Sequence, residues 1–138
     1  MKSLVQRYTV DFADCDPARI VFYPRYFEWF DRGTERLFRS LGMPWATFFG
    51  TPECYGLPIL DAHANFKRAI RFGDAVEIET RVAEWRGKTF LMRHAIRVGA
   101  ELAVEGEELR VWTVPDPSRH PGFRAVPVPA DVMARFDD

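Results

Sequence analysis

A chain of 138 residues is long enough to bury one layered core and too short for two. Its 19 lysines and arginines against 20 aspartates and glutamates exclude a general affinity for nucleic acid or an anionic membrane, while leaving room for a local basic cluster that holds a small anion. No apolar run reaches the length of a membrane span, and the opening MKSLVQRYTVDF alternates polar with apolar residues instead of showing a secretory pattern. The two cysteines, Cys15 and Cys54, have no metal-ligand spacing, so the expected setting is the reducing cytoplasm, with free thiols.

Residues 4 to 12 place Leu4, Gln6, Tyr8, Val10 and Phe12 on one side and Val5, Arg7, Thr9 and Asp11 on the other, the pattern of a half-buried strand. An acidic loop around Asp14-Cys15-Asp16 follows. From Pro24 onward Phe27, Phe30, Leu37, Phe38 and Leu41 recur at helical intervals, and Gly42 and Pro44 supply a stop, which predicts a helix over about 24–41. Gly33 costs this helix roughly 1 kcal/mol relative to Ala and marks close packing against a strand. Residues 43–57 read as a loop with a short helical turn. Strands are expected at about 58–70, then at 75–85, 88–98 and 101–114. Arg86-Gly87 and Gly99-Ala100 are the tight connections, the first of them a hairpin. DPSRHPG at 116–122 is a turn-rich excursion, and PADVMARF adds one helical turn or two. This order predicts an α+β fold, with residues 1–138 forming one domain in which a five-stranded antiparallel sheet wraps one long helix. The other face and the edges of that sheet call for a second copy, hence a homo-oligomer.

Asp14 and Asp16 flank Cys15, one expected to be structural while the other faces a cleft, and a turn-forming role competes with a chemical one for each. Tyr23, at the start of the helix, lacks a short side-chain oxygen to cap the amides there. Those donors suit water or another loop, and equally an oxygen that gains negative charge during a reaction. A carboxylate from Asp16, seven residues earlier, could attack a carbonyl polarised there or activate a water. Cys15 is a poor rival nucleophile because neighbouring carboxylates disfavour its thiolate. His63, His94 and His120 are too scattered for a metal site; His94, within a strand, reads as packed or hydrogen-bonded. Lys67, Arg68 and Arg71, and Arg86 with Lys88, are either solvated charges or phosphate ligands. Trp29, Phe30, Trp45, Phe48 and Phe49 are core residues by default and would also suit an apolar acyl group.

The segment DCDPARIVFYPRYFEWFD, with GLPIL and EWRGKTF further on, resembles the hotdog-fold acyl-CoA thioesterases, most of all the 4-hydroxybenzoyl-CoA thioesterase branch, and the similarity runs from the first strand to VPADV. The resemblance implies a wrapped-helix subunit, dimers that pair into a homotetramer, an acyl-CoA substrate and no cofactor. It implies Asp16 as the catalytic carboxylate, the Tyr23 amide as the group that polarises the thioester carbonyl, and Arg86 and Lys88 as contacts to CoA phosphates. A thiolate is a stable leaving group, so one carboxylate and one oxyanion site suffice. Tyr23 stands where related enzymes associated with the Tol-Pal system carry His, which favours an aryl-acyl substrate. Arg19 stands where the family commonly has Gly, and would alter access to the loop. The implied reaction is hydrolysis of an aryl-CoA thioester, 4-hydroxybenzoyl-CoA or benzoyl-CoA in type. The alternatives are a short- or medium-chain acyl-CoA thioesterase and a non-catalytic acyl-CoA-binding module.

Overall fold

A computed structural model describes all 138 residues. Strand β1 (Ser3–Thr9) alternates between exposed and half-buried positions, with Leu4, Gln6 and Tyr8 on the inner side. It stops at Thr9, earlier than the apolar alternation predicts. The Asp14 carboxylate accepts the Asp11 N–H at 3.1 Å and the Asp14 N–H donates to the Asp11 carbonyl at 3.0 Å, closing a single 3-10 turn over Phe12–Asp14. Phe12 is therefore turned out to solvent and does not extend the buried row.

Helix α1 (Pro24–Ser40) buries Tyr26, Trp29, Phe30, Gly33, Thr34, Leu37 and Phe38, one stripe at three- and four-residue spacing. It opens on Pro24, whose fixed φ suits a first helical position, and ends at Leu41 before Gly42 at φ 82°. After the short α2 (Trp45–Phe48) come β2 (Ile59–Phe66), β3 (Ala75–Arg86), β4 (Thr89–Val98) and β5 (Glu101–Val111). All neighbours pair antiparallel in the order β1-β3-β4-β5-β2, so β1 and β2 are the two edges. In β3 the register passes from Val82 opposite Met92 to Glu84 opposite Leu91, leaving Ala83 as an extra residue. Such a bulge tightens the local twist and helps the sheet curl around α1.

Two strands are shorter than expected. β2 ends at Phe66 because the amides of Lys67 and Arg68 both turn to the Ala103 carbonyl, freeing the Ile70 carbonyl for the Val21 amide at 2.8 Å. β5 ends at Val111 because the buried Trp112 sends its backbone N–H to the Lys88 carbonyl and its indole N–H to the Glu53 carbonyl. Beyond the break β6 (Thr113–Pro115) and β7 (Phe123–Ala125) form a second, two-stranded sheet that the sequence reading lacks, and α3 (Ala130–Ala134) is the expected last turn.

The interior is divided. Tyr26, Trp29 and Phe30, from the first half of α1, pack with Val21, Ile70 and Ile96; Leu37 and Phe38, from the second half, pack with Phe90, Trp112 and Phe136. Between the two clusters runs a polar belt. Thr80, His94 and Gly106 are aligned across β3, β4 and β5, and Glu108, Arg110 and Thr34 adjoin them. Glu108 accepts from Thr34 at 2.7 Å and from His94 Nε2 at 3.0 Å, and Arg110 reaches Glu108, the Leu57 carbonyl and Asp31 at 2.9, 2.9 and 2.7 Å. Burial alone would raise the Glu108 carboxyl, but the His94 hydrogen bond, the charges of Arg110 and His94 and the Thr34 hydroxyl outweigh it and hold it at about 2. Because Glu108 is an acceptor, His94 Nε2 carries a proton, and Thr80 Oγ1 meets the other ring nitrogen at 2.9 Å. Two glycines let helix and sheet meet at this level. A Cβ on Gly33 would stand 2.4 Å from Thr80 Oγ1, and one on Gly106 would stand 2.2 Å from the Phe30 ring, which stacks on His94 with ring centres 4.6 Å apart.

Candidate active site

The acidic loop folds back on itself before α1. Cys15 bridges to Val21, the Asp16 N–H donates to the Ile20 carbonyl at 3.0 Å, and the Phe22 N–H donates to the Asp14 carbonyl at 2.8 Å. Ile20 in turn bridges to Arg71, which ties the loop to the segment leading into β3. The two acids make different bonds. Asp14 uses one carboxylate oxygen twice: Oδ2 accepts the Tyr8 hydroxyl and, at 3.1 Å, the Asp11 N–H, while Oδ1 has no protein partner. Asp16 Oδ1 accepts the Ala18 N–H at 2.8 Å, a turn bond, while Oδ2 has no protein partner. Arg19 closes this turn at φ 66°, in the left-handed region where Gly is at ease and a side chain costs roughly 1 kcal/mol.

Tyr23 already has helical dihedrals, φ −53° and ψ −33°, so helical geometry begins one residue before Pro24. The open donors at the helix start reduce to a single one. Pro24 has no N–H, Arg25 donates to the Phe22 carbonyl at 2.9 Å and Tyr26 to the Tyr23 carbonyl at 3.2 Å; the Tyr23 N–H donates to no group of the chain. Tyr23 stands on the rim of a recess of about 280 Å³ whose apolar wall comes from Ile20, Val21, Tyr26, Phe66 and Ile70. Burial, the largest effect, pushes the Tyr26 phenol up to about 12, so that wall carries no charge at neutral pH. A larger concavity, about 430 Å³, lies on the outer face of the sheet among His63, Arg81, Arg93 and Glu107, and has no apolar lining to receive an acyl group.

The other candidates disperse. Cys15 is half-buried and its thiol is pushed up by burial first and then by Asp14 and Asp16, against its use as a thiolate. His94 is sealed in the polar belt, His63 pairs with Asp61 and Glu107 outside the sheet, and His120 is exposed; no three His, Cys, Asp or Glu side chains gather as a metal site. Lys67 and Arg68 border the recess, and Arg68 is neutralised by Glu101 at 3.0 Å. Trp45, Phe48 and Phe49 pack against the cluster under the second half of α1, so within one chain they are core neighbours and not the wall of the recess.

Arg86 and Lys88 flank the β3–β4 turn, both exposed, Arg86 held by Glu84 at 3.0 Å. The acidic loop adjoins the opposite end of β3, where Val10 donates to Asp74 and Thr9 pairs with Ala75. Eleven residue steps from Ala75 to Arg86 amount to roughly 35 Å of strand. One chain therefore does not bring Arg86 and Lys88 to Asp16 and Tyr23. The sequence reading also missed Tyr8 as a partner of the acidic loop: it placed Tyr8 only in an apolar row, and nothing local announces a bond to a residue six positions on.

A wrapped-helix subunit with a free helix-start amide, a loop carboxylate and an apolar recess is what known families can now be set beside. The family model described as "Thioesterase-like superfamily" matches residues 10–136, and the chain belongs to this superfamily of hotdog-fold acyl-CoA thioesterases; it is a thioester hydrolase. It is 33% identical to the 4-hydroxybenzoyl-CoA thioesterase of Pseudomonas sp. strain CBS-3, over 96% of each chain. It is 30% identical to a 1,4-dihydroxy-2-naphthoyl-CoA hydrolase of Prochlorococcus marinus strain MIT 9313, over 72% of this chain and 70% of that one. The crystal structure of a 4-hydroxybenzoyl-CoA thioesterase mutant with 4-hydroxybenzoyl-CoA superposes with a TM-score of 0.87 at 32% identity, covering 99% of this chain and 100% of that one. A gentisyl-coenzyme A thioesterase gives 0.81 at 30% identity, covering 97% and 100%. The reading as a non-catalytic binding module is set aside by these hydrolases. No helix is long and apolar enough to cross a membrane.

Proposed function

We propose that the protein, working in the cytoplasm as one hotdog domain per chain, hydrolyses an aryl-CoA thioester of the 4-hydroxybenzoyl or benzoyl type to the free acid and CoA. The observation that carries the reading is the Tyr23 N–H left without an acceptor on the rim of an apolar recess, on the segment that folds back against the Asp16 loop. The aryl group enters the recess, and the thioester oxygen accepts from the Tyr23 N–H, whose position at the positive end of α1 favours the negative charge that develops there. The open oxygen of Asp16 attacks the carbonyl carbon or takes a proton from an attacking water. The C–S bond then breaks and CoA leaves as the thiolate; where Asp16 itself attacked, water next hydrolyses the acyl–Asp16 anhydride, which releases the acid and restores the carboxylate. The names of the similar enzymes, with 4-hydroxybenzoyl, gentisyl and dihydroxynaphthoyl groups, support an aromatic acyl chain.

Arg86 and Lys88 reach the CoA phosphates from a second copy, since their own loop lies at the far end of the strand. Every residue of the edge strand β2 except the half-buried Ala64 is exposed, Leu60 and Phe66 among them, which supports pairing through this edge into a homodimer, two of which form the tetramer. The test is release of CoA thiol from benzoyl-, 4-hydroxybenzoyl-, phenylacetyl- and straight-chain acyl-CoAs by wild type and Asp16→Asn. Aryl-selective turnover that falls at least 10³-fold in the variant, with substrate still bound, is expected. Equal kcat/KM for straight-chain substrates would move the assignment to alkyl thioesters.

A further inference from the structure

We propose that Tyr8 is a positioning residue for thioester hydrolysis: its hydroxyl latches the acidic loop to the sheet and so fixes Asp16 relative to the Tyr23 amide. The inference rests on the roles given above to those two residues. Tyr8 is itself held from two sides. Its backbone pairs with Val76 in the β1–β3 ladder, and its ring meets Trp29 of α1 edge-on, with centres 5.3 Å apart at 69°. From this anchored ring the hydroxyl donates to the Asp14 carboxylate, with Asp11 Oδ2 at 3.1 Å.

Asp14 is the junction through which the latch acts. Its carboxylate also accepts the Asp11 amide at 3.1 Å, and its carbonyl accepts the Phe22 amide at 2.8 Å. One residue thus binds the strand through its side chain and the residue before Tyr23 through its backbone, and it lies two residues before Asp16. Asp11 and Asp14 converge on a single phenol, and without its proton two carboxylates would face each other with no donor between them. Burial, followed by hydrogen bonds to Asp14 and Asp11, pushes the phenol well above its ordinary range, so it remains a donor at every pH at which the enzyme works. Losing the hydroxyl releases the loop from β1 while the strand pairing, the Trp29 contact and the recess remain. Displacements near 1 Å can cost on the order of 10²-fold in rate, so the loss is expected in turnover.

The test is a double-mutant cycle between Tyr8→Phe and Asp16→Asn, read by single-turnover rates, steady-state kinetics and thermal melting. Tyr8→Phe is expected to lower kcat about 10-fold with KM within twofold of wild type, and to add less than twofold to the loss in an Asp16→Asn background, because it acts through Asp16. Asp14→Ala should reproduce the Tyr8→Phe defect, whereas Asp14→Asn, which keeps an acceptor for the phenol, should retain most of the rate even if Tyr8→Phe melts early. Wild-type kcat in Tyr8→Phe beside an inactive Asp16→Asn would overturn the latch alone, and so would losses that multiply in full. An Asp16→Asn protein that still turned over would remove the catalytic reading, and the latch with it.

Discussion

Asp14 and Asp16 are two positions apart and chemically alike, yet they bond to different parts of the chain. Asp14 Oδ2 ties the Tyr8 hydroxyl to the Asp11 amide, a link between strand and loop, whereas Asp16 Oδ1 only closes its own turn on the Ala18 amide; each carboxylate keeps one oxygen open. The same turn forces Arg19 to φ 66°. Replacing an ordinary surface residue by Gly costs up to about 1 kcal/mol, because the unfolded chain gains freedom; here relief of the left-handed backbone offsets that gain. Arg19→Gly is therefore expected to leave the urea midpoint within the equivalent of about 0.5 kcal/mol of wild type or to raise it, while KM for the CoA thioester changes as the cation leaves the loop. A loss of more than 1 kcal/mol would mean that the side chain, exposed as it is, holds the turn.

At the scale of elements, the polar belt decides how α1 sits on the sheet. Arg110 is buried with its charge answered by Glu108 and Asp31, and its guanidinium carbon lies 5.2 Å from the centre of the Trp45 ring. The folded Glu108 carboxyl titrates at about 2 against an ordinary 4.5, so its contribution is complete above 4.5 and is lost as pH falls toward 2. The difference corresponds to roughly 3 kcal/mol. Urea unfolding followed by tryptophan fluorescence should show stability falling over that window. Glu108→Gln should be destabilised at pH 7 by a similar amount and show a shallower acid slope; an unchanged slope would refute this assignment. Sequence reading found α1 because Phe30, Leu37 and Phe38 keep its period ahead of the Gly42 stop, found β3 because it alternates along its length, and found β4 because it alternates from Met92 onward. It read His94 as packed or hydrogen-bonded, as it is, but could not find the rest of the belt, since Thr80 and Glu108 look like outward-facing positions until Thr34 and Gly33 are known to lie across from them. It also overran β1, where two aspartate side chains compete with the ladder, and missed β6 and β7, which are too short to show a period. At the candidate site, the Asp16 loop and the Tyr23 start were legible as local patterns. The recess was not, because Ile20, Phe66 and Ile70 meet only on folding.

For the whole molecule, the roles proposed for Arg86 and Lys88, together with the distance from the Tyr23 rim to the β3–β4 turn, require a site built from two copies. Mixing Asp16→Asn protein with an Arg86→Ala, Lys88→Ala double variant and allowing subunits to exchange should restore one intact site per mixed dimer, with an activity gain, at substrate well below the KM of the double variant, that neither parent shows alone. Each parent is expected to sediment as an oligomer, and Arg86→Ala with Lys88→Ala to raise KM while sparing kcat. A monomer at micromolar concentration, or no gain on mixing, would place the phosphate contacts elsewhere. The belt across the middle of each subunit bears on how such proteins diversify. It insulates the apolar cluster behind the acyl recess from the one behind the β3–β4 turn, and side chains with no shared neighbours change nearly independently. With the recess and the β3–β4 turn in the roles proposed for them, the lineage can alter which acyl group it accepts while the end that grips coenzyme A stays as it was.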